Sequence, residues 1–219
     1  GNAVTKASLL VWGLGNLLNK QIARFVAFIA LEIGYLTYMI TFGVKAIGDF
    51  FTLGSVLQEE VWDEALGIYT YTKGDNSMLC LLYGVITILL TLIAIFAAFM
   101  SCKSAYCSEL RKQKGMKIPF FKDDVRSIRE ENLQVAFLSL PLVGIITFTI
   151  VPLVFMILIA FTNYDHNHQP PGNLFDWVGL ENFKVFLSGP YFWRLLKNTL
   201  LIGLYGLIFG FPAPILLAI

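Results

Sequence analysis

Four long apolar runs, at about residues 22–44, 78–100, 133–162 and 195–219, are separated by stretches that carry most of the charge. A helix needs about 20 residues to cross the hydrocarbon core of a bilayer, so each run is long enough to span. The second, MLCLLYGVITILLTLIAIFAAFM, has no charge at all. The first is interrupted by Glu32, and the fourth starts after Arg194 with Lys197 near its outer end. The third is longer than a span requires, which predicts tilt or extension beyond the lipid, and Pro141 and Pro152 are predicted to kink it. Runs apolar on every face show no amphipathic period, and they lack the short inside-outside alternation of outer-membrane strands. In lipid the backbone must satisfy its own hydrogen bonds, so helices are the economical solution. The predicted fold class is all-α, with four transmembrane helices.

Composition agrees with this pattern. Hydrophobic residues make up 57% of the 219, charged residues only 14%, and mean hydropathy is +0.69. Such a chain cannot cover itself with a polar surface, and lipid must solvate much of it. Its net charge of +1 argues against a nucleic-acid partner, which requires a clustered basic surface.

Residues 4–20, VTKASLLVWGLGNLLNK, are apolar but too short for a span and are interrupted by Gly13, Gly15, Asn16, Asn19 and Lys20. They read as an interfacial helix with Trp12 at headgroup depth; a cleaved signal peptide fits less well, because a long apolar run follows without a small-residue cleavage pattern. The chain thus divides into an interfacial amphipathic segment (1–20), a two-span region (21–100), a basic loop (101–132) and a second two-span region (133–219). Eleven of its lysines and arginines fall in the N-terminal segment and the 101–132 loop, and five fall on the other side. The positive-inside rule places the eleven, and the N-terminus, in the cytoplasm.

Chemistry-bearing candidates are few. Glu32 lies about ten residues into the first span, where a carboxylate is costly. It reads as a proton or cation site, or, more simply, as a carboxylate facing another helix and protonated or paired with a hydroxyl. His166, His168 and Asp165, in NYDHNHQPPGN, carry metal-ligand chemistry, but Pro170, Pro171 and Gly172 account for the segment as a helix-stopping surface turn. Cys80, Cys102 and Cys107 read as free thiols, two of them in the lysine-rich loop. The 103–129 stretch suits anionic lipid headgroups, and topogenic lysines explain it equally well. No Walker-type glycine loop and no nucleophile constellation appears, so no cofactor, metal or catalytic residue is expected and the chain is not its own motor.

The stretch FTNYDHNHQPPGNLFDWVGLENFKVFL, from Phe161 to Leu187, resembles sugar permeases of ATP-binding-cassette importers, in which an FTNY-like helix end precedes a WVGLENF-like element. The following FWRLLKNTLLIGLYGLIFGFPAPILLAI resembles that family's next transmembrane helix, with Lys197, Asn198 and Thr199 at its start. Upstream, KASLLVWGLGNLLNKQIAR and EALGIYTYTKGDNSML resemble the extended N-terminal part of maltodextrin permeases. The resemblance implies an incomplete type I importer permease fold, with the first two helices an N-terminal extension and the last two opening the core. The coupling loop that docks on the ATPase would lie beyond Ile219, so the chain is expected to be an N-terminal fragment; the large outer domain of some maltose permeases is replaced by the short 163–193 loop.

The same resemblance implies a bacterial cell membrane, a second permease subunit, an ATPase dimer and an extracellular sugar-binding protein as partners. It also implies a maltodextrin or other oligosaccharide cargo. Asp165, His166, His168, Trp177 and Glu181 become candidates for a binding-protein-facing loop, with Trp177 and Phe183 better suited to anchoring it at the membrane interface than to touching sugar, and Pro141, Pro152 and Asn163 become packing positions. An ion-gradient-driven transporter, for which Glu32 would be essential, and a noncatalytic scaffold are the alternatives.

Overall fold

A computed structural model describes residues 3–170, 172–210 and 215. Two short helices, α1 (Ala3–Ala7) and α2 (Leu14–Leu18), lead into α3, Ile22–Thr52. A hairpin of β1 (Glu60–Asp63) and β2 (Ile68–Tyr71) separates α3 from α4, Ser77–Gln113. Then come α5 (Phe121–Glu130), α6 (Leu133–Ile159), α7 (Glu181–Ser188) and α8 (Pro190–Gly210). Among the described residues α3, α4, α6 and α8 are long and apolar enough to cross a membrane. The molecule is an all-α, multi-pass membrane protein to which one small hairpin is added.

That hairpin lay outside the expected helices, and its local chemistry explains it. Val61, Trp62, Ile68, Tyr69, Thr70 and Tyr71 are strand formers. The Asp63 carboxylate accepts from the Ala65 and Leu66 N–H groups, and the Gly67 N–H donates to the Asp63 carbonyl. Gly67, at φ +67°, supplies the left-handed residue that closes the turn. Trp62 and Tyr69 then pair across the strands with ring centroids 5.0 Å apart.

Helix α4 is the axis of the molecule. At 37 residues it extends roughly 55 Å, well beyond a hydrocarbon core of about 30 Å. Asn76 starts it, accepting from the Met78 and Leu79 N–H groups at 3.0 and 3.3 Å. The apolar run ends near residue 100, but the helix continues to Gln113. Much of the basic 101–132 loop is therefore helical, in α4 and α5, and Cys102 and Cys107 lie on α4. The extension persists because Ser101, Ser104, Ala105 and Ser108 form a stripe against the N-terminal segment.

Across that stripe the Ser101 hydroxyl accepts from the Gly13 N–H at 2.7 Å, Ser104 donates to the Asn16 amide oxygen at 3.1 Å, and Ser108 donates to that of Gln21 at 2.9 Å. Thr5 donates to Glu109 at 2.9 Å. Trp12, Gly15 and Asn16 are buried in protein, and residues 4–20 hold two short helices docked on α4 where a single helix was expected.

Two glycines set the spacing around α4. A Cβ on Gly15 would lie 2.5 Å from the Ala105 Cβ, and one on Gly84 would lie 2.4 Å from the Phe50 Cβ. Between these points Tyr35 donates to Thr91 at 3.2 Å, and the Tyr38 and Thr87 hydroxyls share a hydrogen bond of 2.8 Å. Small residues that admit close approach, joined by hydroxyl contacts, are how helices associate in lipid.

Helix α6 carries Pro141 in its interior and widens into a π turn at Ile146–Ile150, just before Pro152. Pro152 cannot donate to the Phe148 carbonyl and its ring would crowd that group, so the wider turn accommodates the ring. Helix α8 begins five residues before the fourth apolar run and is described to Gly210; apart from Ile215, the rest of that run lies outside the described residues, as does Pro171. Every described residue of α3, α6 and α8 within its most apolar stretch is at least partly exposed, whereas a third of that stretch in α4 is buried.

Gly84→Val should overpack the α3–α4 contact by about 1–3 kcal/mol and lower the thermal midpoint of the detergent-solubilised protein. Adding Phe50→Ala should recover part of the loss. Gly34→Val, at a site where an added Cβ meets nothing within 4 Å, should leave the midpoint nearly unchanged.

Candidate functional site

The FTNY and WVGLENF elements fold onto each other where α6 ends. Thr162 and Trp177 form an antiparallel bridge. The Val178 and Gly179 N–H groups donate to the Phe161 carbonyl at 2.9 and 3.1 Å, and the Asn163 N–H donates to the Asp176 carbonyl at 3.0 Å. Asn163 answers with its side-chain oxygen, accepting from the Asp176 N–H at 2.6 Å. Asn182, in the first turn of α7, donates to the Ala160 and Thr162 carbonyls at 3.0 and 2.7 Å. It thereby satisfies carbonyls that the end of α6 leaves without a helical partner. Phe161 packs on Phe183, and Tyr164 on Phe175, with ring centroids 5.1 and 5.5 Å apart.

The closed loop also grips the first two spans. Phe175, Leu53 and Leu81 are fully buried together, flanked by Phe50, Met78, Phe155, Leu158, Ile159 and Trp177. Trp177 is half-buried, donates its indole N–H to the Phe50 carbonyl at 3.1 Å, and sets its ring 5.5 Å from that of Phe50. The Phe175 N–H donates to the Ser77 hydroxyl at 3.2 Å. Leu53 sits at φ +54°, a region that disfavours a branched side chain; complete burial offsets that strain. Nearby, the Asp75 carboxylate accepts from the Ser55 and Val56 N–H groups at 2.8 and 2.9 Å. These bonds lower its pKa below the usual carboxylate range, helped by Lys45.

The sequence candidates thus separate into an anchor and a rim. Trp177 is the anchor. Asp165 and His166 are exposed on the rim, Glu181 is exposed at the start of α7, where the helix dipole favours a carboxylate, and His168 is half-exposed. Asp165 accepts from the Asn167 and His168 N–H groups at 2.8 and 2.9 Å and meets the His168 Nδ1 at 2.7 Å. The His168 contact is the largest cause of a lowered Asp165 pKa, followed by the backbone N–H groups. Among the described residues no cluster of histidine, cysteine and acidic side chains is arranged to hold a metal ion.

Glu32 belongs elsewhere. Eighteen residues of helix, roughly 27 Å, separate it from Phe50, and its carboxylate accepts from the Trp12 backbone N–H at 2.7 Å. Its partner is the docked N-terminal segment, not a hydroxyl on a neighbouring span. Phe175, Asn182 and Ser77 were not singled out from sequence; for Asn182 the signal was available, since it lies inside the WVGLENF element.

Trp177→Ala should detach the loop from α3, costing about 3–5 kcal/mol, and should expose residues 163–180 to limited proteolysis, with Trp177→Phe intermediate. The Asp165 turn should also depend on pH. A carboxylate whose pKa is lowered by folding stabilises the folded form above its unfolded value, about 3.9, and that contribution disappears as pH falls through the lowered value. Protection of the Asn167 and His168 amides, measured against an unstructured peptide at the same pH, should therefore hold above about pH 4 and be lost as pH falls through the lowered Asp165 value, whereas Asp165→Asn should remove this acid dependence.

Comparison with known proteins extends over most of the chain. The maltodextrin transport system permease protein MalC of Streptococcus pneumoniae is 29% identical over 220 residues, covering 92% of this chain and 47% of that protein. The maltodextrin permease protein MdxF of Bacillus subtilis is 28% identical over 85% of this chain and 40% of its own length. The galactooligosaccharide permease protein GanP of the same organism is 27% identical over 80% and 38%. This chain spans about half the length of the curated relatives it matches, or less. No family model matches it, and no solved structure does. The chain is thus similar to sugar permease proteins of ATP-binding-cassette transporters and resembles the maltodextrin permeases among them.

Proposed function

We propose that this chain is the N-terminal part of the permease subunit of an ATP-driven importer of maltodextrin or a similar oligosaccharide. The observation that carries this reading is similarity to maltodextrin permeases across nearly the whole chain, including the FTNY and WVGLENF elements whose mutual hydrogen bonds close the loop after α6. In this reading the chain supplies part of the translocation path, and a separate ATPase dimer supplies the energy. A second permease subunit completes the path, and an extracellular sugar-binding protein delivers the cargo. Asp165, His166, His168 and Glu181 form the surface that meets the binding protein, while Trp177 holds that surface at a fixed height over α3 and α4. The N-terminus and α5 lie in the cytoplasm and the hairpin outside, as the lysine and arginine distribution favours.

Proteoliposomes containing the complete subunit and its partners should accumulate labelled maltodextrin only with hydrolysable ATP and the binding protein. Uptake without ATP that stops when an ion gradient is collapsed would refute the proposal. Asp165→Ala with Glu181→Ala should reduce binding-protein stimulation of ATP hydrolysis several-fold while leaving basal hydrolysis unchanged. Topology has its own readout: exposed Cys107 should react with a membrane-impermeant maleimide only from the cytoplasmic side, and Ser55→Cys only from outside.

A further inference from the structure

Three of the four spans present one end to the same region. Helix α3 begins at Ile22, α4 ends at Gln113 and α6 begins at Leu133, and α5 lies between the last two on short connections. The apolar spans of α3 and α6 both start beside α5, so α5 stands where headgroups would meet the ends of those spans. Bidentate pairing binds it to α3, with the Arg24 Nε donating to Asp124 at 2.6 Å and Nη2 meeting the second carboxylate oxygen. The Gln21 side chain adds a donor to the Pro119 carbonyl at 2.7 Å.

This pairing opens a cleft of about 390 Å³ between the start of α3 and the start of α5. Its walls include Ile22, Ala23, Pro119 and Phe120, and the cations Lys20 and Lys122 stand at its edges. Ile22 is 63% exposed and Phe120 48% exposed, so the apolar wall reaches the surface. Val125 and Ile128 continue an exposed apolar stripe along α5, with Lys122, Arg126 and Arg129 beside it.

Most acids in α5 are already engaged. Asp124 is held by Arg24, Asp123 faces Lys117 at 3.5 Å and accepts from the Phe120 N–H at 3.0 Å, and Glu130 faces Arg126 at 2.8 Å. Glu131 accepts from Ser127 at 3.1 Å. Among the described residues no carboxylate forms an ion pair with Lys20, Lys122 or Arg129. The surface facing the headgroups therefore combines available cations with an apolar floor. A zwitterionic lipid brings a cation of its own that opposes the lysines' attraction for its phosphate; an anionic phospholipid lacks that cation and sets its phosphate between the lysines with an acyl chain along Ile22 and Phe120.

We infer that the cleft between the first span and α5 is a binding site for an anionic phospholipid, with Lys20 and Lys122 contacting the headgroup. The inference depends on the membrane-spanning architecture and not on sugar transport, so neither result decides the other. Its test is native mass spectrometry of the intact chain released from detergent with dioleoyl-phosphatidylglycerol or dioleoyl-phosphatidylcholine. At low salt phosphatidylglycerol should be retained roughly tenfold more tightly, a preference on the scale of one or two cation–headgroup contacts.

Lys20→Asn with Lys122→Gln should abolish that preference without changing the thermal midpoint, asparagine being chosen because residue 20 has φ +60°. Lys184→Gln should leave the preference intact. For the unsubstituted chain, 0.5 M salt should remove the preference while both lipids remain bound equally. Equal retention of the two lipids at low salt, a preference that survives the double substitution, or one indifferent to salt would each overturn the assignment.

Discussion

Lipid solvates the outward faces of the long helices, so these helices gain little by hiding apolar surface from one another. Their arrangement depends on close approach at small residues and on hydrogen bonds between polar groups that lipid cannot satisfy. Helix α4 supplies both. Gly84 lets Phe50 of α3 sit against it near one end, and Gly15 lets the N-terminal segment sit against Ala105 near the other. Individual hydrogen bonds between membrane helices average only about 0.6 kcal/mol, so the Tyr35–Thr91 and Tyr38–Thr87 contacts set the rotation of α3 on α4 more than they set stability.

The two ends of α4 are closed by different chemistry. At the basic end the seam is polar: serines on α4 meet backbone and amide groups of the N-terminal segment, Glu32 takes the Trp12 N–H, and Arg24 clamps α5. At the other end the seam is apolar and aromatic, with Leu53, Leu81 and Phe175 fully buried beneath Trp177 and Phe50. This aromatic cap ties the loop after α6 to α3 and α4. A binding protein pressing on Asp165 and Glu181 in the proposed importer would meet a surface supported by three spans, not a free loop.

The same division explains the two readings of Glu32 and of the basic stretch. A carboxylate ten residues into a span invites an ion-coupling role, but here it satisfies a backbone N–H that would otherwise be left unpaired in a half-buried position. The lysines and arginines of 101–132 are not an undirected cloud of charge. Within that stretch Lys117 and Arg126 face carboxylates while Lys122 and Arg129 stand beside an apolar surface, and upstream Arg24 pairs with Asp124 while Lys20 lines the same cleft as Lys122.

The sequence by itself determined the class and count of the spans, because long uncharged runs have no other stable backbone solution in lipid. It also placed the FTNY and WVGLENF elements side by side in one stretch, but it assigned Trp177 to the membrane interface, whereas the side chain packs on Phe50. It did not reveal the helical continuation through 101–113, since Ser101, Ala105 and Ser108 make an interface through hydrogen bonding and small size, and neither property appears as hydropathy. The hairpin escaped because six strand-forming residues around a tight turn are a weak signal between two long apolar runs. The partners of Glu32, Trp177 and Arg24 were decided only by tertiary structure: each is a backbone group or carboxylate 20 to 127 residues away in sequence, brought into reach by how α3, α4 and α5 pack, and no local pattern encodes such a distance.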